Sequence, residues 1–395
     1  MDVKLMMRWG LAAGTLLAFT SCISLPTDPA PTSTARQYTF QDTSTTPSTN
    51  IKFDLNTNNN TYSAINNNRV YTFSGTYTRL TNGLIQFNRT ASSNPTNYPV
   101  GGVQFGVEAP DMALLLVNTT DIKGMDPFMG TAAVTFELGY AQGGACPAAT
   151  TSYNVLTLSG ASLAGATTIP DVYGTATLTG PTNNQVLSGQ LWPLGSDAKA
   201  PSTALVVNPG TMGCAQGLLK NLADEIILTR TGAGAASLAT GSAYTLFPRP
   251  ATTANPVVAG AVYTGVMQMP YFDAAAIPTA VWRLNQIFIQ ATATANGTLT
   301  LSKLDINPTT NAVTQAASPV ASVLVDKSTA AIPGLWDASW ISLPGAAAFV
   351  NPARLLSTPV NGKTMIAGFF QFDTSVPANG IVDPSDWGFL MLYQN

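Results

Sequence analysis

Four short stretches of the chain carry residue types that do chemistry, and each has a spacing that can be set against the reaction it suggests. Asp54-Leu55-Asn56-Thr57-Asn58-Asn59-Asn60 places an oxygen side chain at every second position, as the first half of a calcium loop does. Calcium needs about six to eight oxygens and a bidentate carboxylate. Here Asn59 stands where the loop needs glycine and Ile65 where it needs the closing glutamate, so an Asn-rich hairpin turn is expected instead. Ser196-Asp197-Ala198-Lys199 has the Ser-x-x-Lys spacing of an acyl-transfer serine beside its lysine. That chemistry needs a helix start to aim the serine, and Pro201 opposes one. It also needs Ser-Asp-Asn, which is absent, and Lys-Thr-Gly, where this chain has Lys363-Thr364-Met365. The match is read as chance. Carboxylate pairs are scarce: the glutamates are Glu108, Glu137 and Glu225 alone, and Asp383 and Asp386 lie close in a Pro-containing stretch. A glycosidase pair flanks its sugar at roughly 5–10 Å, and a polar turn before the last strand is the more economical reading of 382–387. Trp336 and Trp340 are four apart and share one face of a strand or a helix. They are the candidate ligand platform, with core packing as the plainer alternative.

The chain has no histidine. Ser-His-Asp and Cys-His nucleophiles are therefore impossible, as are zinc and copper sites built on imidazole. No metal, cofactor or catalytic residue is expected, and the chain is not read as an enzyme. Charged residues are 9% of 395 and net charge is -3, against about 25% charged in a typical soluble domain. With no basic run, a nucleic-acid partner is not expected. Apolar residues are 45%, enough to build buried cores.

The elements that would hold any site read as strands. Ile51, Phe53 and Leu55 alternate with polar residues, and Tyr71, Phe73, Gly75 and Tyr77 fall on one strand face. Thr81-Asn82-Gly83 then turns the chain, Asn-Gly between alternating runs being a strong hairpin signal. Leu218, Leu219 and Leu222 predict one short helix, and Pro352–Leu356 another. The Gly/Ala-rich and then Pro-rich stretch from Gly232 to Pro256 marks a boundary. The expected fold is all-β: two antiparallel β-domains, barrel or sandwich, at 51–240 and 241–395, after a signal at 1–21 and a flexible Pro/Thr/Ser-rich tether at 22–50.

Lys4 and Arg8 precede an apolar run, Trp9 to Phe19, that is too short to span a membrane. Leu17-Ala18-Phe19-Thr20-Ser21-Cys22 follows, and the whole N-terminus resembles that of a bacterial lipoprotein. The resemblance implies cleavage before Cys22 and a lipid on that cysteine. It leaves two of the three cysteines, Cys146 and Cys214, as one expected disulfide. A bridge over that separation would contribute about 4 kcal/mol in the chain-entropy model. The expected protein is a non-catalytic lipoprotein of the bacterial cell envelope, facing periplasm or exterior and held to a membrane by its lipid. Its expected role is structural or interactive, with other envelope proteins as possible partners. A β-barrel module for a lipid, glycan or small ligand is the alternative, and a hydrolase using Asp and Lys the weaker one.

Overall fold

Alternating Thr, Val, Tyr, Phe and Ile suit a pleated, half-buried surface, and the chain is β in every part that can be described. The computed structural model describes residues 35–40, 51–66, 71–117 (except 97), 136–142, 150–157, 172–180, 185–193, 203–207, 213–215, 218–220, 226–229, 234–237, 243–273, 281–328 (except 296 and 308), 332–342, 353–371 and 387–395. Among these there are strands and turns and no helix.

The first eight strands are β1 (Ala35–Phe40), β2 (Ile51–Asn56), β3 (Thr61–Asn66), β4 (Tyr71–Arg79), β5 (Ile85–Ser92), β6 (Val103–Ala109), β7 (Ala113–Val117) and β8 (Phe136–Gln142). They form an antiparallel meander that closes where β1 pairs with β8. Nine shorter strands follow: β9 (Ser152–Thr157), β10 (Val172–Thr179), β11 (Val186–Pro193), β12 (Thr203–Val207), β13 (Gly213–Ala215), β14 (Leu218–Lys220), β15 (Ile226–Thr229), β16 (Gly234–Ser237) and β17 (Ala243–Pro248). The last eight are β18 (Val262–Asp273), β19 (Val281–Ala295), β20 (Thr298–Ile306), β21 (Val313–Ser328), β22 (Leu335–Ser342), β23 (Ala353–Val360), β24 (Lys363–Gln371) and β25 (Trp387–Gln394), closed by β18 against β25. Each half of the chain thus contains a closed antiparallel barrel.

The middle sheet has nine strands and two edges. Its order is β12-β11-β10-β9-β17-β16-β15-β14-β13, with β9 and β17 antiparallel. A meander of consecutive antiparallel strands closes only with an even strand number. With nine, β12 and β13 run in the same direction, and a parallel pair has no hairpin to join it. The two edges are nonetheless linked by residues 208–212 alone, a reach of about 20 Å. A flat sheet of nine strands would hold its edges roughly 38 Å apart, so the sheet must curl.

Where their side chains are described, both closed barrels are filled by their own residues, as the width of an eight-stranded barrel permits. In the first, Phe53 and Tyr62 stack with centroids 5.1 Å apart and planes 3° apart, and Phe87 meets each edge-on at 5.2 Å. Tyr263, Ile289, Leu299, Val323, Trp336 and Leu392 are among the residues filling the second. A third apolar cluster lies between the sheets. It joins Phe105, Val107 and Leu115 of the first barrel to Leu156 and Phe247 of the nine-stranded sheet and Val266, Phe288 and Met391 of the second barrel. The Asn-Gly hairpin docks there too. Gly83 has φ +88°, and a Cβ on it would come within 2.7 Å of Thr264 Oγ1, so the turn and the contact both require glycine.

Several expectations are corrected. Residues 35–40, inside the segment read as a tether, form β1, with Gln37, Tyr38 and Thr39 buried. Strand β14 stands where Leu218 and Leu219 predicted a helix, pairing Leu219 with Cys214 and Leu228. Strand β23 stands where a helix was predicted at Pro352–Leu356, because Arg354 to Val360 pair with Phe369 to Lys363 of β24. The boundary placed between 240 and 241 falls inside the nine-stranded sheet, where β16 and β17 pair from Gly234↔Leu246 to Ser237↔Ala243.

Burial of so many phenols gives an alkaline limit to stability. Burial raises Tyr62 to about 12, against a smaller opposing effect of the Arg89 charge and hydrogen bond, and burial raises Tyr263 to about 12. Unfolded tyrosine titrates near 10. Below that pH both states are protonated and the contribution is complete. Between about 10 and 12 only the unfolded chain ionises, and the contribution is lost. The urea midpoint should therefore fall steeply from about pH 10 upward, and absorbance at 295 nm should show a class of the 12 tyrosines ionising only on unfolding. Titration of all of them near pH 10 in the native protein would contradict this packing.

Candidate functional site

The two ends of the first barrel differ in chemistry. Strand alternation decides what each receives. On β6, Val107 and Ala109 face the inter-sheet cluster, so Glu108 between them points into the barrel. Arg36 and Tyr38 on β1 and Arg79 on β4 converge on it from the same side. Arg36 Nη1 lies 3.1 Å from Glu108 Oε1, Tyr38 donates its hydroxyl to the same oxygen, and Arg79 Nη2 pairs with Oε2. The Glu108 side chain is fully buried, while Arg36 and Arg79 are 32% and 43% exposed at the barrel end. Asp111 Oδ1 lies 3.7 Å from Arg36 Nε, so two guanidinium groups face two carboxylates. Burial, then the Glu108 charge and hydrogen bond, push the Tyr38 phenol well up, so it stays a donor. Burial is the largest single influence on Arg36 and would lower it, but the Glu108 charge and hydrogen bond, with Tyr38 and Asp111, together raise it and the guanidinium is held charged.

This end also faces the second barrel. Thr264 donates to the Asn82 carbonyl, and Asn361 Nδ2 donates to the Pro110 carbonyl at 3.0 Å and to Asp111 Oδ2 at 3.2 Å. The Tyr393 phenol is raised by burial first and by Glu108 next. A carboxylate whose two oxygens are taken by two guanidinium groups and a phenol has no lone pair aimed at a substrate. The cluster acts as a tie between the barrel wall and its end, not as a general base.

The opposite end is aromatic. Tyr71 and Phe73, two apart on β4, lie side by side, and Tyr98 covers both at 4.6 and 5.5 Å between centroids. The Tyr71 and Tyr98 hydroxyls are 2.9 Å apart. The Arg89 guanidinium sits 4.9 Å from the Phe73 ring centre and 5.3 Å from that of Tyr98, and its Nη1 donates to the Pro99 carbonyl at 3.3 Å. All four side chains are partly exposed. Phe73 continues inward to Phe53 and Tyr62, so rings run from the buried interior to the end of the barrel.

The residues singled out by sequence are dispersed. Trp336 is 2% exposed in the second barrel and its Nε1 donates to Ser357 Oγ at 2.9 Å, which corrects its reading as an open platform. Trp340 shares β22 and pairs with Val323 through the backbone; its side chain lies outside the described residues. Asp54 belongs to β2, where Gln37 Nε2 donates to it at 2.7 Å. Asn56 and Asn59 use their Oδ1 atoms on the backbone N–H groups of Asn58 and Thr61, so the Asn-rich hairpin turn is observed. Cys22, Cys146, Ser196–Lys199, Asp383 and Asp386 lie outside the described residues. Cys214 is on β13 with its side chain outside them, so the expected disulfide and the lipid site do too. Among the described residues no three Cys, Asp or Glu side chains gather as a metal site, and no helix is long and apolar enough to cross a membrane.

Sequence reasoning missed Arg36, Tyr38, Arg79, Arg89 and Tyr98. An alternation signal existed at Arg36-Gln37-Tyr38-Thr39-Phe40, within a Pro- and Thr-rich context that masked it. The site and the fold define an all-β protein of two closed barrels with a nine-stranded sheet between them in the chain. No protein-family profile matches the chain, and no curated protein matches it as a relative.

Removing Glu108 leaves two guanidinium groups and a phenol facing one another. Glu108→Ala should destabilise the protein by about 3 kcal/mol in urea unfolding, whereas Asp111→Ala, at an exposed pair, should cost about 1 kcal/mol or less. Equal small effects would contradict the tie.

Proposed function

We propose that the protein is a non-catalytic lipoprotein of the bacterial cell envelope, anchored through Cys22, whose barrels form a rigid scaffold for interaction. One observation carries the reading. The described part of each closed barrel's interior is occupied by its own side chains, with Phe53, Tyr62 and Phe87 interlocked in the first and Trp336 buried in the second. A carrier of the lipocalin kind needs an open apolar interior for its ligand. The Glu108 cluster supports the same reading, since its charges neutralise one another.

Sparse charge fits a surface that presents hydroxyl and amide groups, suited to other envelope components and unsuited to nucleic acid. The reading places Cys146 and Cys214 in an oxidising compartment as a disulfide. A binding role is the second reading, and the aromatic end of the first barrel favours it.

The anchor is tested by partition. Wild-type protein expressed in a bacterial host should enter the detergent phase, and Cys22→Ala should leave it for the aqueous phase. A variant that still enters the detergent phase would overturn the lipoprotein reading.

A further inference from the structure

A two-residue hairpin turn with positive φ at both positions is best served by Asn-Gly. Between β23 and β24 the pair Val360↔Lys363 leaves Asn361 and Gly362 as the turn, at φ +50° and +77°. Asn-Gly is also the dipeptide least durable in water. Glycine has no Cβ to keep its nitrogen away from the preceding side-chain amide, so the two can close into a cyclic imide. Nothing shields the pair at Asn361: both residues are exposed, and a Cβ on Gly362 would meet no atom within 4 Å. The turn at Asn82-Gly83 is the opposite case. Asn82 Oδ1 accepts from the Leu84 N–H at 3.1 Å, and the Asn82 carbonyl accepts from Thr264 and from Asn395 Nδ2. A Cβ on Gly83 would collide with both Thr264 and Asn395.

The labile side chain is also a clip. Asn361 Nδ2 donates to the Pro110 carbonyl at 3.0 Å and to Asp111 Oδ2 at 3.2 Å, tying the β23–β24 turn of the second barrel to the β6–β7 turn of the first. We propose that Asn361 is a site of spontaneous deamidation, and that the acid formed there opens this clip. The Gly362 nitrogen forms a bond to Asn361 Cγ, the Cγ–Nδ2 bond breaks, and ammonia leaves with the proton that Gly362 gives up. Water then adds to either carbonyl of the imide, and breaking one imide C–N bond leaves aspartate or isoaspartate. No electrons are exchanged. Where Nδ2 donated, a carboxylate oxygen now faces the Pro110 carbonyl and the Asp111 carboxylate. A hydrogen bond is replaced by acceptors and like charges in opposition. The apolar cluster between the sheets and the Thr264–Asn82 bond are untouched, so the barrels stay joined while the corner at Asp111 comes free. The change runs one way and depends on neither the anchor nor the scaffold reading.

Wild-type protein held in mildly alkaline buffer is sampled over time, and tryptic peptides 80–89 and 355–363 are read by mass spectrometry. Conversion of amide to acid should run about tenfold faster or more at Asn361 than at Asn82, whose turn must first give up its hydrogen bonds. Asn361→Asp tests the clip, because Asp-Gly suits the same turn and the hairpin is kept. The Met112 amide reports on it, donating to the Ala109 carbonyl at 3.0 Å within the β6–β7 turn. Asn361→Asp should speed hydrogen exchange of that amide about twofold to fivefold, and added salt should reduce the gain. In an Asp111→Asn background an amide faces the new acid, and the same substitution should bring no such gain. Conversion at Asn361 no faster than at Asn82 overturns the modification site. An exchange gain that is absent, or equal in both backgrounds, overturns the clip.

Discussion

Ring closure of antiparallel sheets is the constraint on which the rest of the molecule depends. A meander joins its first strand to its last in the antiparallel sense only when the strand number is even. Eight strands satisfy this twice, at β1 with β8 and at β18 with β25. Closure removes sheet edges, and with them the rows of unpaired backbone groups that invite aggregation. That matters in a chain so poor in charge, because charge is the usual protection of an exposed edge. The nine-stranded sheet has an odd number, and β12 and β13 remain its edges.

Closure also fixes what must fill each barrel. Eight strands leave room for side chains and little else, so inward positions are apolar or mutually satisfied. Glu108 is the instructive exception. It is buried and tolerated because Arg36, Arg79 and Tyr38 complete its hydrogen bonding. Outward positions are apolar as well where the three sheets meet, with Phe105 against Phe288 at 6.2 Å in edge-on contact. Strands buried on both faces carry continuous apolar runs, which is why Ala113–Leu116 reads ALLL and Leu390–Tyr393 reads LMLY.

The all-β class was legible because alternation and turn chemistry are local. The Asn-Gly turn before Leu84 and the Asn-rich turn after Asn56 stand where they were expected. Strand β1 was not legible, since its closure with β8 is set by residues a hundred positions away. Leu218 and Leu219 carry a helical spacing that pairing with β13 and β15 overrides. The Glu108 cluster was hidden for the same reason: residues 36, 38, 79 and 108 share no local pattern, and only closure brings them together. Trp336 and Trp340 do share a strand, but spacing does not say which side of a barrel wall is inside.

Solid barrel interiors are the central claim, because they separate a scaffold from a lipid carrier. Native mass spectrometry of the mature protein, released gently from membranes, tests this most directly. The account predicts a mass made up of the processed chain and its covalent anchor, with no further lipid retained. A stoichiometric, non-covalent lipid that survives release would mean that an interior opens to hold it, and would contradict the account.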